Sequence, residues 1–313
     1  MTARSSRLDW LLFVLLGFFW GSSYLFIKIG VDAGLPPFML ITLRLLIGFL
    51  LLASVVAIAR EPLPRNPRTY GHLIVMGAVN IAIPFSLITW AELTVESALA
   101  SILTAPVPLF VIVIAAIFLR DERITANRIA GLVAGFVGVA VLVGFDPAAV
   151  AAGDLAGEIA LLGATLSYAC GAVYARRNVH GLRPMIPAVF QVGFALVMVA
   201  TLTLVFERPF EVNVTPEAWF SVVWLGLFGS GLAYLVFFRI LGRWGATRTS
   251  MVAYLLPVFG ITLGALVLNE PVDARLLIGT GLVIGGIALV NSRYGARPLF
   301  QRGPASAAPA KPR

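Results

Sequence analysis

Apolar residues along this chain fall into long runs rather than alternating with polar ones. Ten runs can be drawn, at roughly 10–30, 37–59, 71–90, 97–119, 127–145, 156–176, 185–206, 219–239, 247–268 and 275–291. Each approaches the ~20 residues a helix needs to cross a hydrocarbon core of ~30 Å. Runs of this length, rich in Leu, Val and Gly, read as helices, because a barrel strand alternates and is about half as long. The pattern therefore predicts an all-α polytopic membrane protein with ten transmembrane helices.

Composition agrees. Of 313 residues, 59% are hydrophobic and 12% charged, with a mean hydropathy of +0.95, whereas a soluble domain is about half apolar and about a quarter charged. The first run follows a basic start (Arg4, Arg7), is long and has no small-x-small cleavage site. It reads as a retained helix rather than a removed signal peptide.

The runs also repeat. Shifted by 148 positions, Trp20 falls on Tyr168, Lys28 on Arg176, Pro36 on Pro184, Glu122 on Glu270, Gly131 on Gly279 and Gly138 on Gly286. Each copy holds five runs, and five is odd, so the second copy enters the membrane from the opposite side. The expected architecture is two inverted five-helix repeats around a central cavity, a recurring plan of secondary transporters whose substrate sits near the midplane. The chain divides into an N-terminal segment (1–8), repeat 1 (9–145), a linker (146–155), repeat 2 (156–292) and a tail (293–313) rich in Pro, Ala and Arg, with little to bury, that reads as disordered.

Charge placement sets the orientation. The net charge is +8, and 19 of the 23 Lys and Arg residues lie in the termini and alternate loops on one side. The positive-inside rule makes that side cytoplasmic, with both termini on it. The acidic residues gather mostly on the other side, as with Asp32, Glu92, Glu96, Asp154, Glu207, Glu270 and Asp273. The basic excess is thus topological, and no basic and aromatic surface module remains for nucleic acid.

Each repeat has an aromatic-small start (Trp20-Gly21-Ser22; Ser167-Tyr168-Ala169), then a fourth helix with a proline and an acidic step at its end (Pro108 to Arg120-Asp121-Glu122-Arg123; Pro257 to Asn269-Glu270-Pro271). A fifth helix rich in glycine follows (Gly131, Gly135, Gly138; Gly279, Gly281, Gly285, Gly286). Over about 9–292 the chain resembles the EamA-type domain of the drug/metabolite transporter superfamily, in duplicate. The resemblance implies a multi-pass protein of the bacterial inner membrane. Its best-known branch exports amino acids, aromatic ones included. One departure is that the acidic step lies a residue further from Pro108 than from Pro257.

Depth counted inward from the run boundaries selects candidate cavity residues. These are Trp20 and Tyr24 in helix 1, Asn80 and Ser86 in helix 3, Tyr168 in helix 6, Ser230 and Tyr234 in helix 8 and Tyr254 in helix 9, with Pro108 and Pro257 as gating kinks. A lipid-facing helix gains nothing from Asn, Ser or Tyr at mid-depth, and a backbone broken by Pro or Gly is tolerated where it faces protein or a wet cavity. The expected wall is therefore helices 1, 3, 4, 6, 8 and 9. Asn80 also fits interhelical glue, the aromatics fit simple packing, and Gly229-Ser230-Gly231 equally fits a close helix contact.

Other polar residues read as structural. Arg44 lies about seven residues into helix 2 and is expected to snorkel or to pair, for example with Glu96, in preference to a substrate role. Lys28 and Arg176 read as anchors at helix ends. Glu122 and Glu270 read as junction residues near the starts of helices 5 and 10. Gly131-x-x-x-Gly135 and Gly281-x-x-x-Gly285 fit close packing, within one chain or across a homodimer. Neither Cys-x-x-Cys pairs nor His clusters suggest a metal or cofactor. No Asp, Glu or His lies deep in a run, which argues against an intramembrane enzyme. It also disfavours a cation exporter with a buried carboxylate. The expectation is export of a small neutral or zwitterionic metabolite, most simply an amino acid moving down its own gradient. Proton-coupled export of other metabolites or cationic drugs, and a channel-like or structural role, stand as alternatives; Glu96 is the candidate that would keep coupling alive.

Overall fold

The structure is a computed structural model that describes residues 7–118, 126–143, 155–179, 182–183, 185–244 and 249–291. Glu122, His180, Pro184, nearly all of the linker, the N-terminal segment up to residue 6 and the tail lie outside the described residues. The described residues are helical, without strands. Among the described residues eight helices are long and apolar enough to cross a membrane: α1 (Arg7–Asp32), α2 (Pro37–Ile58), α3 (Pro67–Ala91), α4 (Ser97–Phe118), α5 (Ala126–Val143), α6 (Leu155–Asn178), α7 (Met185–Phe206) and α8 (Pro216–Trp244). Two shorter apolar helices follow, α9 (Met251–Val267) and α10 (Ala274–Asn291).

Local chemistry starts these helices where the sequence places them. Pro67 and Pro216 occupy the first turns of α3 and α8, where a missing N–H costs nothing. Before them Asn66 accepts a hydrogen bond from Arg68 N (3.0 Å) and Thr215 accepts one from Ala218 N (3.3 Å), which satisfies donors the helix itself leaves open.

Three helices are interrupted, and two of the interruptions correspond. α3 carries a π-helical segment at Ala78–Ala82 and α8 one at Leu225–Leu232. A shift of 148 positions lays the first inside the second. In α3 the cause is visible. Ile83 N donates to Ala78 O, five residues back, so Val79 O is left facing Pro84, which has no N–H. Ser167 Oγ of α6 donates to that carbonyl at 2.6 Å. α4 breaks at Thr104–Pro106, and Thr165 Oγ1 of α6 donates to Leu103 O at 3.0 Å. Freed backbone is thus satisfied by a neighbouring helix, as a membrane interior requires.

The closest packing runs between the two halves and is reciprocal. α5 lies on α10 and α2 on α7, while α1 packs on α9 as α4 does on α6, and α2 on α8 as α7 does on α3. The α5–α10 contact is glycine-lined: Gly131 and Gly135 meet Gly286, and Gly138 meets Gly279. The Gly131/Gly135 pair therefore packs within one chain. Gly281 and Gly285 have nothing within 4 Å of a side-chain position, so they face outward.

Candidate functional site

The interrupted helices surround a cavity of about 370 Å³ at the centre of the bundle, within the ~300–1,000 Å³ usual for small-molecule sites. Its wall is largely aromatic and aliphatic. Trp20 of α1 lies 6.3 Å from Tyr234 and 5.4 Å from Phe237 of α8, centroid to centroid, and Tyr234 stacks on Phe238 at 6.3 Å. Phe85 of α3 and Tyr168 of α6 complete the aromatic surface. The polar groups are few. Tyr24 Oη and Thr104 Oγ1 share a hydrogen bond of 2.5 Å, and Asn80 Nδ2 donates to Gln191 Oε1 of α7 at 3.1 Å. Among the described residues no Asp, Glu, Lys or His lines the cavity, and the one charged side chain there is Arg44.

Six of the ten residues selected by depth meet here: Trp20, Tyr24, Asn80, Tyr168, Tyr234 and Pro108. Four do not. Ser86 Oγ donates to Ala82 O of its own helix at 2.7 Å. Ser230 is fully buried behind the wall and accepts from Arg44 Nε at 3.2 Å. Tyr254 packs against the apolar core beside the cavity. Pro257 is buried without reaching the cavity. Helices α1, α3, α4, α6, α8 and α9 all contribute, as expected, and α2 and α7 join them through Arg44 and Gln191.

Arg44 corrects the sequence reading. It neither snorkels nor pairs with Glu96. It is 3% exposed, and no ion pair holds it among the described residues. Its guanidinium carbon lies 4.4 Å from the Phe85 ring centroid, a cation–π contact.

The end of the bundle carrying Asp32, Glu92 and Glu270 is tied shut. Lys28 Nζ donates to Glu92 O at 2.9 Å and pairs with Asp32 at 3.1 Å, which joins α1 to the end of α3. Glu207, after α7, accepts from Phe38 N and Met39 N (2.8 and 2.7 Å) at the start of α2. Glu270, after α9, accepts from Ser97 N, Ser97 Oγ and Ala98 N (2.7, 3.0 and 2.9 Å). It therefore caps α4 rather than the start of α10. The reason is the turn before it: Asn269 adopts φ 56° and Glu270 N bonds back to Gly264 O, a left-handed helix end that Asn tolerates. The anion thus meets the positive end of a helix in the other half.

Burial raises the Glu207 carboxyl above its usual range, against the two N–H groups that lower it. Burial also raises Glu96, with Glu270 and Asp273 adding to the shift. Glu92 stands apart. It is fully buried at the end of α3, and neither carboxylate oxygen has a hydrogen-bond partner among the described residues.

At the opposite end Arg243 pairs with Asp9 at 2.6 Å and Arg183 with Glu61 at 2.7 Å. The cavity extends from mid-depth toward this end, where Gln191, Phe237, Phe238, Val252 and Ala253 line it. No cluster of His, Cys, Asp and Glu able to hold a metal occurs among the described residues.

Comparison with known proteins adds to this geometry. Residues 9–144 and 155–292 each match the EamA-like transporter family. The chain is 25% identical over 278 residues to "Uncharacterized transporter YoaV" of Bacillus subtilis (strain 168), covering 89% of this chain and 94% of the relative. It is 26% identical over 297 residues to "Probable amino-acid metabolite efflux pump" of Escherichia coli (strain K12), covering 90% and 94%. A solved crystal structure at 23% identity superposes with a TM-score of 0.64 over 91% of this chain and 96% of the other, and so shares the fold.

Proposed function

From the premise that the chain belongs to the EamA-like transporter family, we propose that it exports small neutral or zwitterionic metabolites, amino acids with aromatic side chains foremost, across a bacterial inner membrane. In this reading all ten apolar helices span the bilayer as two inverted five-helix repeats, with both termini cytoplasmic. The repeats rock about the central cavity, so that each end opens in turn.

The observation that carries the substrate class is the cavity wall. It offers aromatic faces to an apolar body and a few fixed polar groups to the rest of the solute, the usual division of labour in a small-molecule site. Sugar phosphates and nucleotides call for several buried cations, and among the described residues the wall holds one. Cationic drugs call for a carboxylate, and among the described residues it holds none. The printed name of the Escherichia coli relative points the same way. A wall without a carboxylate also favours facilitated flux down the substrate gradient over proton-driven accumulation.

The test is flux of labelled amino acids in proteoliposomes. Saturable counterflow is expected. Trp20→Ala, Asn80→Ala and Tyr168→Ala should each reduce it about tenfold, a loss of ~1.4 kcal/mol of transition-state binding. If all three left flux unchanged, the cavity would not be the substrate path. Uphill accumulation driven only by an imposed pH gradient would sink the facilitated reading.

A further inference from the structure

Arg44 is a buried cation that no carboxylate contacts among the described residues, Glu92 acting on it only at longer range. Among the described residues its single hydrogen bond is from Nε to Ser230 Oγ at 3.2 Å. Its two terminal nitrogens bond to no protein group among the described residues, yet the side chain lines the cavity. Space is reserved for it, since a side-chain carbon on Gly229 would sit 3.1 Å from Arg44 Nη2 and 2.9 Å from Ser23 Oγ. The Phe85 face, 4.4 Å from the guanidinium carbon, holds it from one side. Nε is taken by Ser230 and one face by Phe85, which leaves the paired Nη donors unbound by protein.

A guanidinium is always charged and presents a planar fork matched to a carboxylate. Keeping one buried within an apolar helix without a partner is costly, and an intramembrane charge of this kind marks a ligand path. We infer that Arg44 is the anchor for the carboxylate of the transported solute, and that the site recognises the carboxylate and not the amino group. The second half follows from the remaining wall. Among the described residues no Asp or Glu lines it, so no carboxylate there stands ready to pair with an ammonium. Asn80 and Gln191 spend a donor and an acceptor on each other at 3.1 Å. The substrate class is therefore monocarboxylates with an apolar or aromatic body, in which an α-ammonium is tolerated and not required. This deepens the export reading and rests on the cavity being the substrate site.

The experiment measures equilibrium binding to the purified protein in detergent by intrinsic tryptophan fluorescence. The probes are 3-phenylpropionate, phenylalanine, phenylalaninamide and phenethylamine. The two carboxylates are expected to bind at least about tenfold more tightly than the amide and the amine, as for a site whose paired donors are otherwise left empty. In Arg44→Gln that preference should vanish. Arg44→Lys, which keeps the charge and loses the fork, should fall between. The wild-type ranking needs no variant, so a misfolded Arg44→Gln leaves the inference exposed to refutation. Equal or tighter binding of phenethylamine, or no carboxylate-selective binding at all, overturns it. Flux is scored separately. Carboxylate-selective binding without flux of any amino acid refutes the export reading and leaves the anchor standing. Flux that is indifferent to the carboxylate refutes the anchor and leaves export standing.

Discussion

Gly286→Ala is expected to be among the most destabilising single-methyl changes in the protein. A side-chain carbon there would lie 2.6 Å from Gly135 N, 2.7 Å from Gly131 O and 2.8 Å from Gly135 Cα. All three are backbone atoms of α5, so no rotamer change relieves the clash and the two helices must move apart. The reciprocal contacts fail with it, because Gly131 and Gly138 sit as closely against the α10 backbone. Overpacking a tight core costs about 1–3 kcal/mol, and the cost here should fall at the upper end, since close approach of small residues is the main source of helix affinity in lipid. Thermal unfolding in detergent measures the loss. Gly281→Ala and Gly285→Ala are internal controls on the same helix. Both positions have nothing within 4 Å, and both changes should be near neutral. A loss at Gly281 or Gly285 as large as at Gly286 would mean that the outward face is buried against a second copy of the chain.

Acidification is expected to stabilise the protein through Glu92. The carboxylate is fully buried and its oxygens are unsatisfied among the described residues. Burial raises its pKa well above the usual carboxylate range; Lys28 on α1 opposes this, Glu270 adds to it, and Arg44 on α2 and Asp32 act more weakly. The sign follows from the raised value. The neutral acid is the form the folded protein accommodates, so the stability Glu92 contributes is complete below its unfolded pKa. It is lost as pH climbs through the folded pKa, at a limiting ~1.4 kcal/mol per pH unit. Melting temperature should therefore rise by about 3 °C or more between mildly alkaline and mildly acidic buffer. In Glu92→Gln, always neutral, the alkaline end of the curve should rise and much of the slope should disappear. Some slope should persist from Glu96 and Glu207, whose carboxyls are also raised by burial. A variant with the full wild-type slope would show that Glu92 is charged in the folded protein, with Lys28 as the natural counter-ion.

How much of this the sequence could reveal depends on the kind of signal. Run length and the shift of 148 positions point to helices and to a duplication, because hydrocarbon thickness fixes length and duplication preserves landmarks. Counting inward from the run boundaries selects Trp20, Tyr168 and Asn80, which line the cavity. It is not enough to say which way a side chain faces. Ser86 and Tyr254 lie at the right depth and turn away from the cavity, and a π-helical turn just before Ser86 displaces the periodicity from which facing is counted. Gln191 and Phe237 line the cavity from nearer the basic end, outside the layer that midplane counting samples. From the sequence Arg44 is expected to snorkel or to pair, and no ion pair holds it among the described residues. The apolar run stops at Trp90, which leaves Glu92 among the acidic residues beyond the runs. Its burial comes from helices remote in sequence. Its place in the sequence puts Glu270 near the start of α10, and the left-handed turn at Asn269 aims it at α4.

The matched π-helical turns of α3 and α8 bear on ancestry. Such a turn is one residue inserted into an α-helix, and everything beyond it rotates by roughly 100°. Adding that residue to a finished helix would swing one half of it onto the wrong neighbours, so it is hard to acquire late and hard to lose. Both copies carry the turn at the same place. The economical history puts the insertion in a single-copy ancestor of five helices, before the gene doubled. Descendants that never doubled should still carry that additional residue in their third helix, where a single-residue gap in an alignment would expose its loss.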